Sequence, residues 1–339
     1  MSINKLNPVL ASTYENFPKG RIVSLVVLRT THSETIFRTE GSGEPMCSEF
    51  VPAGLEDKKT IVQRLVMTKR KQVAAERRRG REFLRAHELL YTSPKEGSFC
   101  SLNTNAPCEM CVDCFLYGFA AGGGGAQKSR VWTEDAFSIL TTAQAVGDRT
   151  INAIFENGTM RDENGKASTA LNTSEYIKPG VHFIDVVTLK DVTADELRYV
   201  IGNILLTSRY GAVSSRVGRM ENQILGVFGS IAELPSSLEL VQATYDALPK
   251  PLEHPFDIDV LSAAIKQVIA NWTNKRGVSM QLSEEELTSL IENVDRHWSE
   301  TERDNFLKRL DKSYQPFRLP PAEKKGKGKS KKTPVETES

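Results

Sequence analysis

The most regular apolar pattern of the chain lies between residues 181 and 230. Residues 181–189 form an apolar, β-branched run, which predicts a strand buried on at least one face. Thr193 and Glu196 have the spacing of a capping box, and apolar residues then recur at helical spacing, so a helix is predicted to begin there. Residues 224–228 predict a second strand. This part of the chain is therefore predicted to form strand, helix, loop and strand.

The loop between that helix and the second strand combines glycines with positive charge. Gly211 and Gly218 stand among arginines within residues 209–219. Glycine lets a backbone approach a phosphate closely, and an arginine can hold a phosphate with two hydrogen bonds. An ordinary solvated loop at a sheet edge has a similar composition, so both interpretations stay open on this segment alone. The arginines concerned are Arg209, Arg216 and Arg219.

Further elements are predicted on both sides of this unit. Residues 21–38 predict a strand and a second extended segment, and residues 131–140 predict another strand. Residues 56–90 predict one long helical stretch, which Gly80 breaks or ends. Residues 143–180 are polar and rich in turn signals, which predicts a hairpin that projects from the body. Helices are also predicted at residues 236–248, 259–272, 283–298 and 300–310.

The predicted helical stretch at residues 56–90 carries far more positive than negative charge. A charged helix face is usually a solvated face, but an excess of one sign favours a surface for a polyanion. The net charge of the whole chain is only +1, so a nucleic-acid role has to rest on how the charge is distributed. The clustered cations of this predicted surface are Lys69, Arg70, Lys71, Arg77, Arg78 and Arg79.

Four of the five cysteines lie close together, at Cys100, Cys108, Cys111 and Cys114. This spacing lets four thiolates share one ion. A closed four-thiolate site is typical of structural zinc, because no position is left for water or substrate. An iron–sulfur cluster and a metal-free cluster are the alternatives, although the terminal Cys-Pro of the bacterial ferredoxin run is missing. His87 is the alternative to one cysteine as a ligand.

The composition is that of an ordinary soluble protein, with 39% hydrophobic and 26% charged residues. No apolar run is long enough to span a bilayer, and the first residues lack the basic start and apolar core of a signal peptide. We therefore expect a cytosolic (cytoplasmic) protein without a membrane partner. Residues 316–339 are rich in lysine and poor in apolar residues, which predicts a disordered basic tail.

Without its insertions the chain is predicted to have a βαββαβ order. The predicted fold is therefore α+β, with a ferredoxin-like or RNA-recognition-motif (RRM-like) core and a helical C-terminal region. We expect this core within residues 1–235, with a zinc-binding insertion at about 95–120 and a projecting hairpin at about 145–180. The helical region is expected at residues 236–315. The aromatic string used for base stacking in that motif is absent, so stacking on the sheet is not indicated.

Three short segments together resemble a known family. They are CFLYGF at residues 114–119, SRVWTEDAF at residues 129–137 and SRYGAVSSRVGR at residues 208–219. Their order is similar to that of the repeat-associated RNA-binding proteins of CRISPR effector complexes. The cysteine insertion and the segment at residues 28–41 narrow the resemblance to the guide-RNA-binding backbone subunit of the type I-D complex, the Csc-two family.

This resemblance implies a non-catalytic subunit of an antiviral surveillance complex. Members of the family polymerise along a CRISPR RNA as filaments of identical copies, contact its sugar-phosphate backbone, kink it with a projecting thumb and associate with other subunits. A target DNA strand is then recognised by pairing with the guide. The RNA-binding positions carried over are Lys128 and Arg130 in the Ser-Arg segment, Arg209, Arg216 and Arg219 in the glycine loop, and Arg149 and Arg161 in the thumb.

Two enzymatic functions are the alternatives. In the related type III branch the backbone subunit cleaves its target with an aspartate, and the nearest candidate here is Asp135. Its neighbour Glu134 would point to the opposite face of a strand, so a metal site shared by both is geometrically awkward. A zinc-dependent enzyme is disfavoured by a closed four-cysteine site. The predicted function is RNA scaffolding, with regular cleavage of the target strand by Asp135 as its alternative.

Overall fold

A computed structural model of the protein describes residues 2–37, 46–93, 97–104, 107–121, 125–152, 154–156, 158–166, 171–274 and 277–318. The strands within these ranges are β1 (Ile22–Thr31), β2 (Ser48–Pro52), β3 (Ile61–Met67), β4 (Phe119–Ala121), β5 (Gly125–Gln127), β6 (Val131–Thr133), β7 (Ala136–Thr141), β8 (Val146–Asn152), β9 (Leu171–Ile177), β10 (His182–Lys190), β11 (Met220–Ser230) and β12 (Val278–Gln281). The helices in the same ranges are α1 (Ser2–Lys5), α2 (Lys69–Ala86), α3 (Val112–Tyr117), α4 (Thr142–Ala145), α5 (Ala194–Leu206), α6 (Ser237–Ala247), α7 (Ile258–Ala270), α8 (Glu284–Trp298) and α9 (Arg303–Ser313). The architecture is mixed α+β, as predicted.

One antiparallel sheet organises the described part of the chain. Along its main path the strand order is β12-β11-β1-β10-β7-β3-β2, and β6 also pairs with β10. β1 lies between β10 and β11 and pairs with β10 from Ile22 to Thr30 and with β11 from Ile22 to Thr31. The strands predicted at residues 181–189 and 224–228 correspond to β10 and to part of β11. The hairpins β4-β5 and β8-β9 form separate two-stranded sheets.

The main sheet is covered on both faces. All ten residues of β1 are buried, and they divide between two apolar clusters. Val23, Leu25 and Val27 belong to one cluster, whereas Val26 and Leu28 belong to the other. Side chains of α5, α8 and α9 complete the first cluster, and those of α6 and α7 complete the second. Because successive strand residues point to opposite faces, a strand buried at every position needs a layer on each side.

Three predicted helix starts have their capping boxes. In each case the hydroxyl of the N-cap residue accepts a backbone N–H three residues later, and the carboxylate of that residue accepts the N-cap N–H. These bonds satisfy backbone donors that have no partner within the helix. The pairs are Thr193 with Glu196, Ser236 with Glu239, and Ser283 with Glu286.

The single long helical stretch predicted at residues 56–90 is wrong in its first part. Ile61–Met67 forms β3, which pairs with β2 and β7, and only Lys69–Ala86 is helical. The side chain of Arg64 is fully buried between these strands and donates hydrogen bonds to the carbonyl oxygens of Ser138 and Ala53 at 2.9 Å. Pairing with two neighbouring strands overrides the helical spacing of the apolar residues, as tertiary context often does.

Gly80 does not break α2, contrary to the sequence-based expectation. It lies inside the helix and is buried where α2 crosses α5. A Cβ atom at this position would lie 2.5 Å from Tyr199 Oη and 2.6 Å from the side-chain amide of Asn203. Gly80 is therefore needed for the close approach of the two helices rather than for a change of direction.

The hairpin predicted at residues 143–180 is present as β8 and β9. These strands pair from Val146 with Ile177 to Asn152 with Leu171, apart from the main sheet. The first of them, β8, begins at Val146, close to the start of the predicted segment. Part of the hairpin tip, at residues 153, 157 and 167–170, lies outside the described residues.

The C-terminal part of the chain contains the predicted helices and one additional strand. β12 lies between α7 and α8 and pairs with β11 at the edge of the sheet. Most of the predicted tail, residues 319–339, lies outside the described residues. Its first residues are packed, however: the ring of Phe317 lies 4.9 Å from that of Tyr14, and Arg318 Nε donates to the Met110 carbonyl oxygen at 3.0 Å. In the part that the structure describes, no helix combines the length and the apolar character needed to cross a bilayer.

Candidate nucleic-acid interface and metal centre

A groove of about 640 Å³ lies between α2, the loop that follows Cys100 and the loop between α5 and β11. We refer to it as the basic groove, and to residues 207–219 as the late loop. The groove brings together three segments that are far apart in the sequence and that the sequence analysis marked for different reasons. Its lining residues in the described structure are Arg70, Lys71, Val73, Ala74, Arg77, Arg78, Leu102, Asn103, Gly211 and Ala212.

One face of α2 supplies the positive charge of the basic groove. Arg70, Arg77 and Arg78 share this face because residues seven or eight apart lie about two turns from each other on a helix. Arg70 and Arg78 are exposed, and Arg77 is half-buried. On the opposite side of the helix Gln72 and Glu76 are buried against the sheet. The helix therefore has two different sides: its cations face the groove, and a carboxylate faces the core.

The late loop is held against the segment that follows β1. Gly211 has a φ of 82°, and a Cβ atom there would overlap the carbonyl oxygen of Ile36. The Ala212 N–H donates to that same carbonyl oxygen at 2.8 Å. Glycine is required because only a residue without Cβ takes this conformation at such close approach. The late-loop arginines Arg209, Arg216 and Arg219 are exposed.

A buried charge network lies beneath the late loop and α2. Arg29 of β1 is fully buried and lies 2.8 Å from both Glu76 Oε1 and Asp185 Oδ2. The Tyr210 hydroxyl of the late loop donates to Glu76 at 3.1 Å and accepts a hydrogen bond from Asn222 at 2.8 Å. Burial raises the pKa of both Glu76 and Asp185. The network ties the late loop, α2 and the central strands into one unit, because each member needs its partners to be stable in the interior.

The four clustered cysteines lie together and are buried. Their sulfur atoms all lie within 4.8 Å of one another, and Cys114 Sγ is 3.7 Å from Cys100 Sγ and 3.9 Å from Cys108 Sγ. A tetrahedron of sulfur ligands about 2.3 Å from an ion has edges of about 3.8 Å, so this geometry suits a single metal ion. Hydrogen bonding to Cys100 is the main reason why the pKa of Cys111 is raised. Such crowded thiols ionise together only when a cation balances their charge.

The cysteine cluster is attached to α2 through Asp113, which lies on α3 between Cys111 and Cys114. The Asp113 carboxylate accepts hydrogen bonds from Arg77 Nε at 3.0 Å, Arg77 Nη2 at 2.8 Å and Arg81 Nη1 at 2.7 Å. Arg81 also donates to the Cys100 carbonyl oxygen. Burial disfavours the charged forms of both arginines, but the carboxylate raises their pKa values above the ordinary range. Two cations of the predicted RNA-binding helix are therefore engaged in holding the cysteine insertion.

Several predicted RNA-binding residues lie away from the lining of the basic groove. Arg130 is buried and forms an ion pair with Glu196. Arg79 donates to Glu82 at 2.7 Å, and Lys128 is exposed beyond β5. Lys69, at the start of α2, is exposed as well.

The predicted thumb arginines belong to the β8-β9 hairpin. Arg149 is exposed on β8 and pairs with Glu34. Arg161 is exposed in the turn region and donates to the Gly165 carbonyl oxygen at 2.7 Å. His87, the alternative metal ligand, places Nδ1 2.9 Å from Asp304 Oδ1 instead.

The two adjacent carboxylates at residues 134 and 135 cap different helices. The strand predicted at residues 131–140 is divided here into β6 and β7. The Asp135 carboxylate accepts the Lys69 N–H at the start of α2 at 2.7 Å, and the Glu134 carboxylate accepts the Ser237 N–H at the start of α6 at 2.8 Å. Negative charge at a helix N-terminus is stabilising. The geometry therefore gives each carboxylate a structural partner and directs the two toward separate helices.

Sequence reasoning missed Leu102 and Asn103, which line the basic groove, and Asp113, which joins the cysteine cluster to α2. Neither a charge cluster nor a periodic pattern marks the loop at residues 101–104. The only available signal was an acidic residue placed between two cysteines, opposite an arginine-rich helix. An acidic residue buried at such a place needs a cationic partner.

The chain is similar to a protein family and to proteins of known structure. The family model described as Csc2 Crispr matches residues 9–307. The crystal structure of Thermofilum pendens Csc2 is similar over 93% of this chain and 96% of that one, with 18% identity and a TM-score of 0.59. A chain of a CRISPR RNA-guided surveillance complex in a pre-nicking state is similar over 75% of this chain and 89% of that one, with 10% identity and a TM-score of 0.49. None of the curated proteins matches this chain. Because the family model covers most of the sequence, the chain belongs to the Csc2 CRISPR family.

Proposed function

We propose that this protein is a non-catalytic backbone subunit of a type I-D CRISPR surveillance complex and that it binds CRISPR RNA along its sugar-phosphate backbone. The observation that carries this proposal is the basic groove, where the cationic face of α2 meets the glycine-containing late loop. Membership of the Csc2 family supports the same role. Arginine–phosphate contacts carry no base information, as a subunit that serves many guide sequences requires.

The strand order supports an RRM-like core as part of this proposal. β11, β1, β10 and β7 are neighbours in that order, with α2 before β7 and α5 between β10 and β11. This is the order expected when the chain follows a βαββαβ path around a central first strand. We infer that β2, β3, the cysteine insertion and the β8-β9 hairpin are additions to this core. The hairpin is the proposed thumb, with Arg149 and Arg161 as its RNA contacts.

Within the complex, we propose that copies of the subunit associate head to tail. A heterologous interface that does not close produces a filament, which is the arrangement that follows an extended RNA. The guide presented in this way would pair with a target DNA strand, and the remaining subunits of the complex would bind the ends of the filament. The four buried cysteines would hold one structural zinc ion.

Charge reversal in the basic groove tests RNA binding. The double variant Arg70→Glu/Arg78→Glu changes two exposed groove residues. We expect weaker binding of a labelled single-stranded RNA and a log–log salt slope that is shallower by about 1.4, because each single-strand phosphate contact contributes about 0.7. The matched control is Lys58→Glu/Lys59→Glu, which makes the same charge change at two exposed residues in the β2-β3 loop. An equal loss in both variants, or no loss in the groove variant, would contradict the proposal.

A further inference from the structure

We infer that residues 101–104, which follow Cys100, are themselves a contact surface for the nucleic-acid backbone and that a metal ion held by the four cysteines keeps this loop at the basic groove. This inference rests on the proposed function of the groove. Leu102 and Asn103 of the loop line the same cavity as Arg70 and Arg78 of α2. The cysteine insertion therefore supplies part of the surface that would face a bound strand.

The path from the metal centre to this surface is short. Cys100 is two residues before Leu102, and its sulfur lies 3.7 Å from that of Cys114 on α3. An ion shared by these sulfurs would join the start of the loop to α3. Arg81 of α2 adds a second attachment by donating to the Cys100 carbonyl oxygen. The position of Leu102 and Asn103 is thus determined by bonds at the cysteine that precedes them.

Arg77 connects the metal centre and the basic groove directly. It lines the basic groove, and it also lines a smaller cavity of about 230 Å³ together with Cys100 and Cys114. Two of its nitrogen atoms donate to Asp113, and its guanidinium lies 5.3 Å from the ring centroid of Tyr117. The side chain of Asp113 is only 1% exposed. Movement of α3 would break the three hydrogen bonds that this buried carboxylate accepts from Arg77 and Arg81, which opposes any displacement of the loop.

Asn103 has the chemistry needed to contact a sugar-phosphate backbone. It is exposed, and its φ of 61° turns the chain at the groove. Asparagine adopts this conformation more readily than most residues. Its side-chain amide donates to phosphate oxygens and to ribose hydroxyls, and neither contact depends on the base. The expected ligand of this surface is therefore the ribose-phosphate backbone of the strand held by α2.

Opposite charges placed at residue 103 test the contact. Asn103→Asp is expected to weaken binding of a labelled single-stranded RNA about three- to tenfold, and Asn103→Lys to strengthen it by a similar factor, because phosphate attraction depends on local charge. Both variants should keep the metal content of the unmodified protein, since Asn103 is exposed and is not a ligand. Asn274→Asp and Asn274→Lys form the matched control pair at an exposed residue outside the groove. Equal effects at residues 103 and 274 would overturn the inference.

Metal removal tests whether the centre holds the loop. After treatment with a zinc chelator, the difference in RNA affinity between Asn103→Asp and Asn103→Lys should shrink toward that of the control pair. If the chelated protein loses its folded circular-dichroism spectrum, the two residue-103 variants are instead compared in metal-loaded protein that also carries Asp113→Asn. The control for that change is Asp195→Asn, because Asp195 also accepts from two arginines but lies away from the groove. If the difference in RNA affinity between Asn103→Asp and Asn103→Lys stays as large after chelation, or in the Asp113→Asn background used in its place, the metal centre does not hold the loop at the groove and the inference is overturned.

A failure of this inference can be distinguished from a failure of the proposed function. If Arg70→Glu/Arg78→Glu binds RNA normally, the basic groove is not the RNA site and both proposals fail. If that variant loses affinity while charge at residue 103 has no effect, RNA binding by α2 stands and only the role of the cysteine loop is refuted.

Discussion

The Asp135 carboxylate accepts the backbone N–H of Lys69 at 2.7 Å, at the first residue of α2. This bond fixes the start of the helix that supplies the cations of the basic groove. It also gives a structural reason for the aspartate that the sequence suggested as a possible nuclease residue. A carboxylate committed to a helix N-terminus stabilises that terminus by satisfying one of its unpaired donors.

Removing this carboxylate should affect stability rather than catalysis. We expect Asp135→Ala to lower the free energy of unfolding by about 1 kcal/mol, the usual value of a lost helix cap, and Asp135→Asn to lower it less. Urea unfolding measures the change. Assembled on guide RNA with magnesium, wild type and Asp135→Ala should bind complementary target alike, and neither should cut it. Regularly spaced cleavage by wild type that disappears in the variant would instead make this subunit a nuclease.

The cysteine centre should contain one zinc ion per chain. Elemental analysis of purified protein should give about one equivalent, because four thiolates complete the coordination of a single ion. Cys108→Ser should lower the zinc content and the melting temperature. Cys47→Ser should change neither, since Cys47 lies outside the cluster. An iron–sulfur absorption band, or protein that is folded without any metal, would refute this assignment.

Gly80→Ala should destabilise the protein even though alanine is the better helix former. Alanine gains about 1 kcal/mol of helix propensity, but its Cβ would lie 2.5 Å from Tyr199 Oη. Overpacking of this kind costs about 1–3 kcal/mol, and after the gain in propensity is subtracted we expect a net loss of up to about 2 kcal/mol in chemical denaturation. Glu82→Ala, at an exposed position of the same helix, should change stability by about 0.5 kcal/mol or less. A more stable Gly80→Ala variant would show that α2 and α5 are not in close contact.

The buried carboxylates should make stability depend on pH. Burial raises the pKa values of Glu76 and Asp185. A carboxyl group whose pKa is higher in the folded state holds more protons there, so its contribution to stability is lost as the pH rises through the folded pKa. We therefore expect the free energy of unfolding to fall above the ordinary carboxyl range, by about 1.4 kcal/mol per unit of raised pKa.

Glu76→Gln should flatten this decrease because it removes one of the two titrating groups and leaves Arg29 with a single carboxylate. Urea denaturation at a series of pH values compares the variant with wild type. Glu82→Gln on the exposed side of α2 is the control and should keep the wild-type profile. Parallel profiles for wild type and Glu76→Gln would show that Glu76 does not titrate with folding.

The sequence by itself determined the features that depend on local spacing. Residues 181–230 carry their strand, helix and strand pattern within one contiguous segment, and Thr193 and Glu196 satisfy each other across a single helical turn. The cysteine cluster follows for the same reason, since three of its ligands are separated by only two residues each. The order of short motifs was also sufficient to point to the family that the comparison supports.

Only the tertiary structure decided the features that depend on pairing between distant segments. Ile61–Met67 forms a strand because β2 and β7 lie on either side of it, and no local pattern records those neighbours. Arg130 and Arg78 were both predicted from the sequence as RNA-binding residues. In the structure Arg130 is buried in an ion pair with Glu196, whereas Arg78 is exposed to solvent at the basic groove. A charge becomes a structural ion pair or a binding residue according to which carboxylate the fold brings beside it, because an unpaired charge is too costly to bury.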